Sequence, residues 1–236
     1  MADRITAILL AGGSGKRMNS TVPKQYMTLA GKPLLYHSLR AFEESEVTDI
    51  VLVTGRGEQE YCRQELIEKY NISKISAFAE GGKERYHSVY AGLLAADGAD
   101  YVLIHDGARP LVTAELISRS IEAAKKWNAC VTGMPVKDTI KVVGEDGFAK
   151  ETPDRGKLWQ IQTPQSFSYA MIMDAYQKLM AVGDDSVTDD AMVLEKMTKQ
   201  RVRLIEGDYR NIKVTTPEDM CIAEAYLKDM SKKDKF

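Results

Sequence analysis

Apolar positions along the chain fall into two rhythms. Short aliphatic runs at residues 5–10, 49–54, 75–79 and 101–105 are bounded by glycine or polar residues, and their length and β-branching predict buried strands. Between them apolar positions recur three and four apart: Leu34, Leu35, Leu39 and Phe42 within 33–42, then Cys62, Leu66, Ile67 and Tyr70 within 59–70. Further helices are expected at 84–96 and 113–126, the latter with Thr113 as N-cap and Glu115 in its first turn. Downstream the pattern predicts strands at 159–162, 202–205 and 212–215, helices at 169–180 and 190–197, and a last helix opened by Thr216-Pro217-Glu218-Asp219 and running to Leu227. Strand and helix in alternation predict an α/β chain whose mostly parallel sheet is covered by helices on both faces.

One stretch breaks the rhythm. Residues 138–155 hold a β-like run, a Gly144-Glu145-Asp146-Gly147 turn and a second run from Phe148, which together read as a protruding hairpin arm. Ile140 and Val142 alternate with polar neighbours, so the arm has an apolar face that a two-stranded ribbon cannot bury by itself. Residues 1–230 are expected to form one domain including this arm, with 231–236 as a charged, frayed tail.

Composition narrows the class only modestly. The 236 residues carry 32 Lys plus Arg against 34 Asp plus Glu, so there is no global basic field for nucleic acid. The three cysteines, Cys62, Cys130 and Cys221, are far apart and lack metal-ligand spacing, which points to a reducing compartment. The first apolar run is too short for a signal peptide or a membrane span, and a cytoplasmic protein is expected.

Candidate chemistry begins where that first run stops. Gly12, Gly13, Ser14 and Gly15 bring small residues and backbone N–H groups, and Lys16, Arg17 and Lys24 add three positive charges. Such a loop after a first strand suits a polyphosphate. It is not a Walker loop, since Arg17 follows Gly15-Lys16 and Leu10 stands where the first glycine belongs. It is not a dinucleotide fingerprint either, because Met18 occupies the third glycine's place and the second strand ends in Val53-Thr54 without an acid; this argues against an oxidoreductase.

Three more segments fall at predicted strand or helix ends. Gly81-Gly82 precedes a helix that places Arg85 and Ser88 on one face. His105-Asp106-Gly107-Ala108-Arg109-Pro110 ends the strongest strand with an aspartate suited to holding Mg²⁺ through one oxygen. Asn211-Ile212-Lys213 adds a late cation.

The pattern LAGGSGKRM followed by Pro23-Lys24 resembles the signature of sugar nucleotidyltransferases, which join a nucleoside triphosphate to a phosphorylated small molecule. With GGKERYHSV, HDGARP, VKDTIK, QTPQSF, TDDA and NIKVTTPED in order, residues 5 to 227 resemble the 2-C-methyl-D-erythritol 4-phosphate cytidylyltransferase family. The resemblance implies a single Rossmann-like nucleotidyltransferase domain, a homodimer formed through the arm, and Arg17, Lys24 and Lys213 as catalytic cations. It implies nucleotide contacts at Ala11, Gly12, Gly13, Gly15, Gly82, Arg85, Ser88, Asp106 and Gly107, with Asp106 also the metal ligand. The acceptor phosphate would meet Arg109, Thr139, Arg155, Thr163, Thr188 and Lys213. Two alternatives stand beside it: a ribitol-5-phosphate cytidylyltransferase, for which HDSVRP rather than HDGARP is expected, and a non-catalytic nucleotide-binding module on the same fold.

The residues suit that chemistry without the family name. A phosphate monoester is largely ionised at neutral pH, since its second pKa is about 6, so its attack on a triphosphate needs no general base. It needs two polyanions aligned and the departing charge stabilised by fixed cations. His37, His87 and His105 have no triad-like setting and are expected to be structural.

Overall fold

The computed structural model describes residues 2–13, 18 and 22–233. Strand β1 (Ile5–Leu10) lies near the middle of a seven-stranded sheet. A small ribbon of β2 (Thr28–Leu29) and β3 (Lys32–Pro33) leads into α1 (Leu34–Glu43), β4 (Asp49–Thr54) and α2 (Gln59–Cys62), whose winding widens to a π turn over Arg63–Glu68. Then come β5 (Ile75–Glu80), α3 (Arg85–Ala95), β6 (Tyr101–Asp106), α4 (Ala114–Trp127) and β7 (Ala129–Pro135). The arm strands β8 (Val142–Val143) and β9 (Ala149–Glu151) precede β10 (Trp159–Ser168), α5 (Tyr169–Val182), α6 (Asp190–Thr198), β11 (Arg203–Glu206) and α7 (Pro217–Lys233).

The sheet order is β11-β7-β10-β6-β1-β4-β5, parallel throughout except for β10, which runs antiparallel to both its neighbours. Side chains alternate across β1. Ile8 packs with Val51, Val53, Val102 and Ile104 under α3 and α5, whereas Ala7 and Leu9 pack with Ile50, Leu52 and Leu103 under α1 and α4. Both layers are buried, and each fully buried aliphatic side chain contributes roughly 1.5–3 kcal/mol. This two-sided burial is why the strands read as continuous apolar runs.

Several boundaries differ from the sequence reading for identifiable reasons. Strand β7 carries no periodic signal because ACVTGMP mixes small and polar residues, yet six of its seven residues are buried. Strand β10 continues past Pro164 to Ser168 through an irregularity in its pairing with β7, so the proline does not end it. The expected strand at 212–215 does not form. Val214 N–H instead donates to Ala108 O, and the segment crosses the end of β6 rather than extending the sheet. The arm's ribbon is shorter than expected, pairing only Val142 with Glu151 and Val143 with Ala149. Helix α7 runs to Lys233, beyond the expected end at Leu227 and into the expected tail; residues 234–236 lie outside the described residues.

Register positions the site. Leu10 pairs with Val53 on one side and Asp106 on the other, so β1, β4 and β6 end at one level. Because β10 is reversed, its early residues arrive at that same edge, and Thr163 Oγ1 accepts the Asp106 N–H at 3.1 Å.

Candidate active site

Beyond the end of β1 the chain turns tightly over its neighbour. Ala11 N–H donates to Val53 O at 2.7 Å, and a Cβ on Gly12 would lie 3.1 Å from Thr54 O, so a larger residue would push the loop off β4. Opposite, α3 opens with a reciprocal cap between Glu84 and His87, and Ser88 Oγ accepts the Gly82 N–H at 3.1 Å. These segments enclose a cleft of about 440 Å³ lined by Ala11, Gly12, Gly13, Gly82, Arg85 and Ser88, with Lys24, Asp106 and Lys213 among its charged walls. A second cavity of about 320 Å³ is lined by Arg109, Ile161, Gln162, Thr163, Thr188 and Asp189. Arg85, Asp106 and Lys213 border both.

Charges at this seam alternate in sign. Lys213 Nζ sits 2.7 Å from Asp106 Oδ2, and Arg85 Nε 3.4 Å from Asp106 Oδ1. Burial alone would raise the Asp106 carboxyl, but Arg85 and then Lys213 hold it well below the usual carboxylate range, so it is ionised at any physiological pH. Arg109 is fixed by backbone carbonyls: Nη1 donates to Asn211 O at 2.8 Å and Nη2 to Ile161 O at 3.5 Å. Lys24 lies in a short helical turn tied down by Tyr26, whose hydroxyl donates to Glu58 at 2.7 Å; Lys24 Nζ donates to Val214 O at 3.1 Å. The segment at 211–215, although not a strand, therefore delivers both Lys213 and a carbonyl for Lys24.

His105 is structural, as expected. It is fully buried, with Nε2 3.2 Å from Arg109 O and Nδ1 3.0 Å from Thr163 Oγ1. Burial lowers its pKa to about 4, so the ring is neutral at pH 7. A neutral ring that donates from Nε2 to the carbonyl must accept at Nδ1, so the Thr163 hydroxyl donates to the ring while accepting from Asp106. The Thr163 side chain borders the second cavity with its hydroxyl already committed to holding the β6 end.

The lowered pKa fixes a sign. The unfolded chain takes up a proton at His105 near pH 6.5 and the native state resists until about 4, so this stabilisation is complete above 6.5 and is lost as pH falls toward 4. Between pH 7.5 and 5 the native state should lose about 2 kcal/mol from this group. His37, also lowered by burial, acts in the same direction. Urea unfolding at the two pH values checks this: His105→Gln should flatten the pH dependence, and an unchanged slope would contradict it.

Other expected positions fare differently. Arg17 and Gly15 lie outside the described residues. Gly107 lines neither cavity; its N–H donates to Leu10 O, and a Cβ there would meet the Leu35 side chain at 2.7 Å, so its smallness serves packing. Thr139 and Arg155 are exposed on the arm and line neither cavity, Arg155 donating to Lys137 O at 2.9 Å. Among the described residues no group of three or more His, Cys, Asp and Glu is placed to cage a metal. Sequence reasoning passed over Asp190, Tyr176 and Gln165, which back Arg85; TDDA was the one signal for the first of these. Among the described residues no helix is long and apolar enough to cross a membrane.

A family model described as IspD, 2-C-methyl-D-erythritol 4-phosphate cytidylyltransferase, matches residues 5–229. A protein of that name from Lachnospira eligens is 52% identical over 225 residues, covering 94% of this chain and 99% of the relative. Another, from Lachnoclostridium phytofermentans, is 47% identical over 227 residues, covering 96% and 97%. The solved 4-diphosphocytidyl-2C-methyl-D-erythritol synthase of Anaerococcus prevotii superposes with a TM-score of 0.84 at 34% identity, covering 96% of each chain. The 2-C-methyl-D-erythritol 4-phosphate cytidylyltransferase structure from Thermus thermophilus gives 0.77 at 28% identity, covering 94% of this chain and 98% of that one.

Proposed function

The chain belongs to the 2-C-methyl-D-erythritol 4-phosphate cytidylyltransferase family, and from that premise we propose that its two adjoining cavities divide the substrates, CTP in the larger and the acceptor in the smaller. The reaction joins CTP to 2-C-methyl-D-erythritol 4-phosphate, giving 4-diphosphocytidyl-2-C-methyl-D-erythritol and pyrophosphate in the non-mevalonate isoprenoid pathway. The observation that carries the division is the shared wall: Arg85, Asp106 and Lys213 border both cavities, which is where a phosphate from one side would meet an α-phosphorus from the other.

In this reading an oxygen of the acceptor phosphate attacks the α-phosphorus in line as the bond to the bridging oxygen of pyrophosphate breaks. No residue needs to remove a proton. Lys213 and Arg109 draw the acceptor phosphate to the seam, and Lys24 and Arg17 stabilise charge on the transferred and departing groups. Ala11, Gly82 and Ser88 line the larger cavity, where a pyrimidine edge would lie.

The donor set fits Mg²⁺. Asp106 is ionised, and its Oδ1 makes only a long contact to Arg85, so one oxygen can serve a hard cation that completes its shell with water and phosphates. When bound, the ion supplies Lewis-acid neutralisation of phosphate charge. A cytoplasmic setting is supported by the three cysteines, all free thiols.

We read residues 1–230 as one catalytic domain that pairs into a homodimer through the arm. Exposed Val143 and Phe148 on the arm support this, as does the position of Thr139 and Arg155 at its base, away from their own cavities. A partner's arm would then complete each acceptor site. Arg155→Lys keeps the charge and loses the two-point grip on a phosphate, so it should raise the acceptor's KM about tenfold with CTP affinity unchanged. Weakened CTP binding with an unaltered acceptor KM would reverse the assignment. Pyrophosphate release with four triphosphates and with methylerythritol or ribitol phosphate tests the whole reading; only CTP with methylerythritol phosphate should give full turnover.

A further inference from the structure

The Asp190 side chain is wholly buried, 0% exposed, a costly place for a carboxylate without partners. It has a full set. Arg85 Nη1 and Nη2 donate to its two oxygens, both at 2.8 Å, and the Tyr176 hydroxyl donates to Oδ1 at 2.5 Å. Behind it, the N–H groups of Asp190 and Ala191 donate to Gln165 Oε1, and Gln165 Nε2 donates to Asp189 Oδ2, each at 3.0 Å.

The direction of the Arg85 fork has a consequence. With both Nη groups turned to Asp190, Arg85 offers Asp106 only its Nε, at 3.4 Å. A guanidinium released from Asp190 would meet Asp106 with its whole fork, the geometry arginine and carboxylate prefer, and would occupy the carboxylate that borders both cavities. The pair also ties two walls together. Arg85 opens α3 on the larger cavity, and Asp190 opens α6 two residues after Thr188 on the smaller. Tyr86, beside Arg85, adds a second tie to the loop before α6 by donating to Asp185 at 2.5 Å.

We propose that Asp190 is a positioning residue for cytidylyl transfer. Held by Tyr176 and Gln165, it aims the Arg85 guanidinium, and so keeps Asp106 open and the two cavity walls in register. It lines neither cavity and acts through Arg85; the inference therefore rests on the reading of Arg85 as a nucleotide contact.

A double-variant cycle tests it. D190N, R85Q and the combined variant are compared by initial rates of pyrophosphate release from CTP and methylerythritol phosphate. Calorimetry gives CTP affinity without acceptor, and thermal melts establish folding. D190N should lower kcat by about tenfold with CTP affinity within about threefold, as a displaced rather than deleted contact would, and should add nothing in the R85Q background. Multiplying effects, or a folded D190N with wild-type kcat, would overturn the proposal. If D190N does not fold, Y176F decides: it removes only the hydroxyl bond and should cost about threefold in kcat, and a folded Y176F with wild-type kcat overturns the proposal equally. R85Q separates this inference from the reading beneath it. R85Q with normal kcat and CTP affinity would sink the site reading, whereas an impaired R85Q beside a normal D190N sinks only the role of Asp190.

Discussion

Lys24→Ala is expected to lower kcat by 10²–10³, about 2.7–4 kcal/mol of transition-state stabilisation, the scale of losing one preorganised electrostatic donor. Its ammonium lies on the wall of the larger cavity, in a turn pinned by Tyr26 and Glu58, so it is presented without reorganisation as charge develops on the transferred group and on pyrophosphate. A fixed cation of this kind favours the more highly charged transition state over bound CTP. The CTP dissociation constant should therefore change by less than about fivefold. Arg17→Ala, from the glycine loop, is expected to behave alike. The discriminating measurement is steady-state kinetics beside calorimetric CTP binding: normal kcat with a raised CTP KM in both variants would make these cations ground-state binders and remove their catalytic role.

Mixing two inactive proteins should restore activity if the arm is exchanged between subunits. The β8–β9 ribbon buries little within itself: Val143 is 60% and Phe148 76% exposed, and a ribbon of so few pairs is not stable alone. Thr139 stands at its base, outside the cavities of its own chain. Across a two-fold axis both facts are satisfied together, because the partner covers the apolar face and receives Thr139. Lys24→Ala chains mixed with chains inactivated at Thr139 would then form heterodimers having one doubly damaged site and one intact site. Random exchange makes half the dimers mixed, so activity should rise to about a quarter of wild type. If native mass spectrometry shows the heterodimer and activity does not return, each chain supplies its own Thr139 and the exchanged arm is excluded.

Local chemistry was legible along much of the chain. The apolar runs of β1, β4 and β6 and the helical spacing of α1 and α4 are set by burial on one or two faces, which a short window of sequence records directly. Thr113 caps α4 as its residue type requires, accepting the Leu116 N–H at 3.2 Å. Arg85 and Ser88 share a cavity because three residues along a helix lie on one face. The glycine loop and Asp106 stand at strand ends where residue type and position already suggest a phosphate site, whereas Lys213 alone reads as surface charge and is linked to that site only by the family resemblance.

What the sequence could not supply is pairing at a distance. Strand β10 lies between β6 and β7 and runs against both, and that reversal alone brings Thr163 to Asp106. The segment at 211–215 has a strand's composition, yet it crosses the end of β6 and bonds to Ala108, so Lys213 reaches Asp106 from a loop. Asp190 and Arg85 are 105 residues apart, and nothing in TDDA says which cation its buried carboxylate will meet. Periodicity reports which side of an element is dry. Which element dries it is decided by the packing of the whole chain, where a buried charge or a backbone N–H must find its partner wherever the fold happens to bring one.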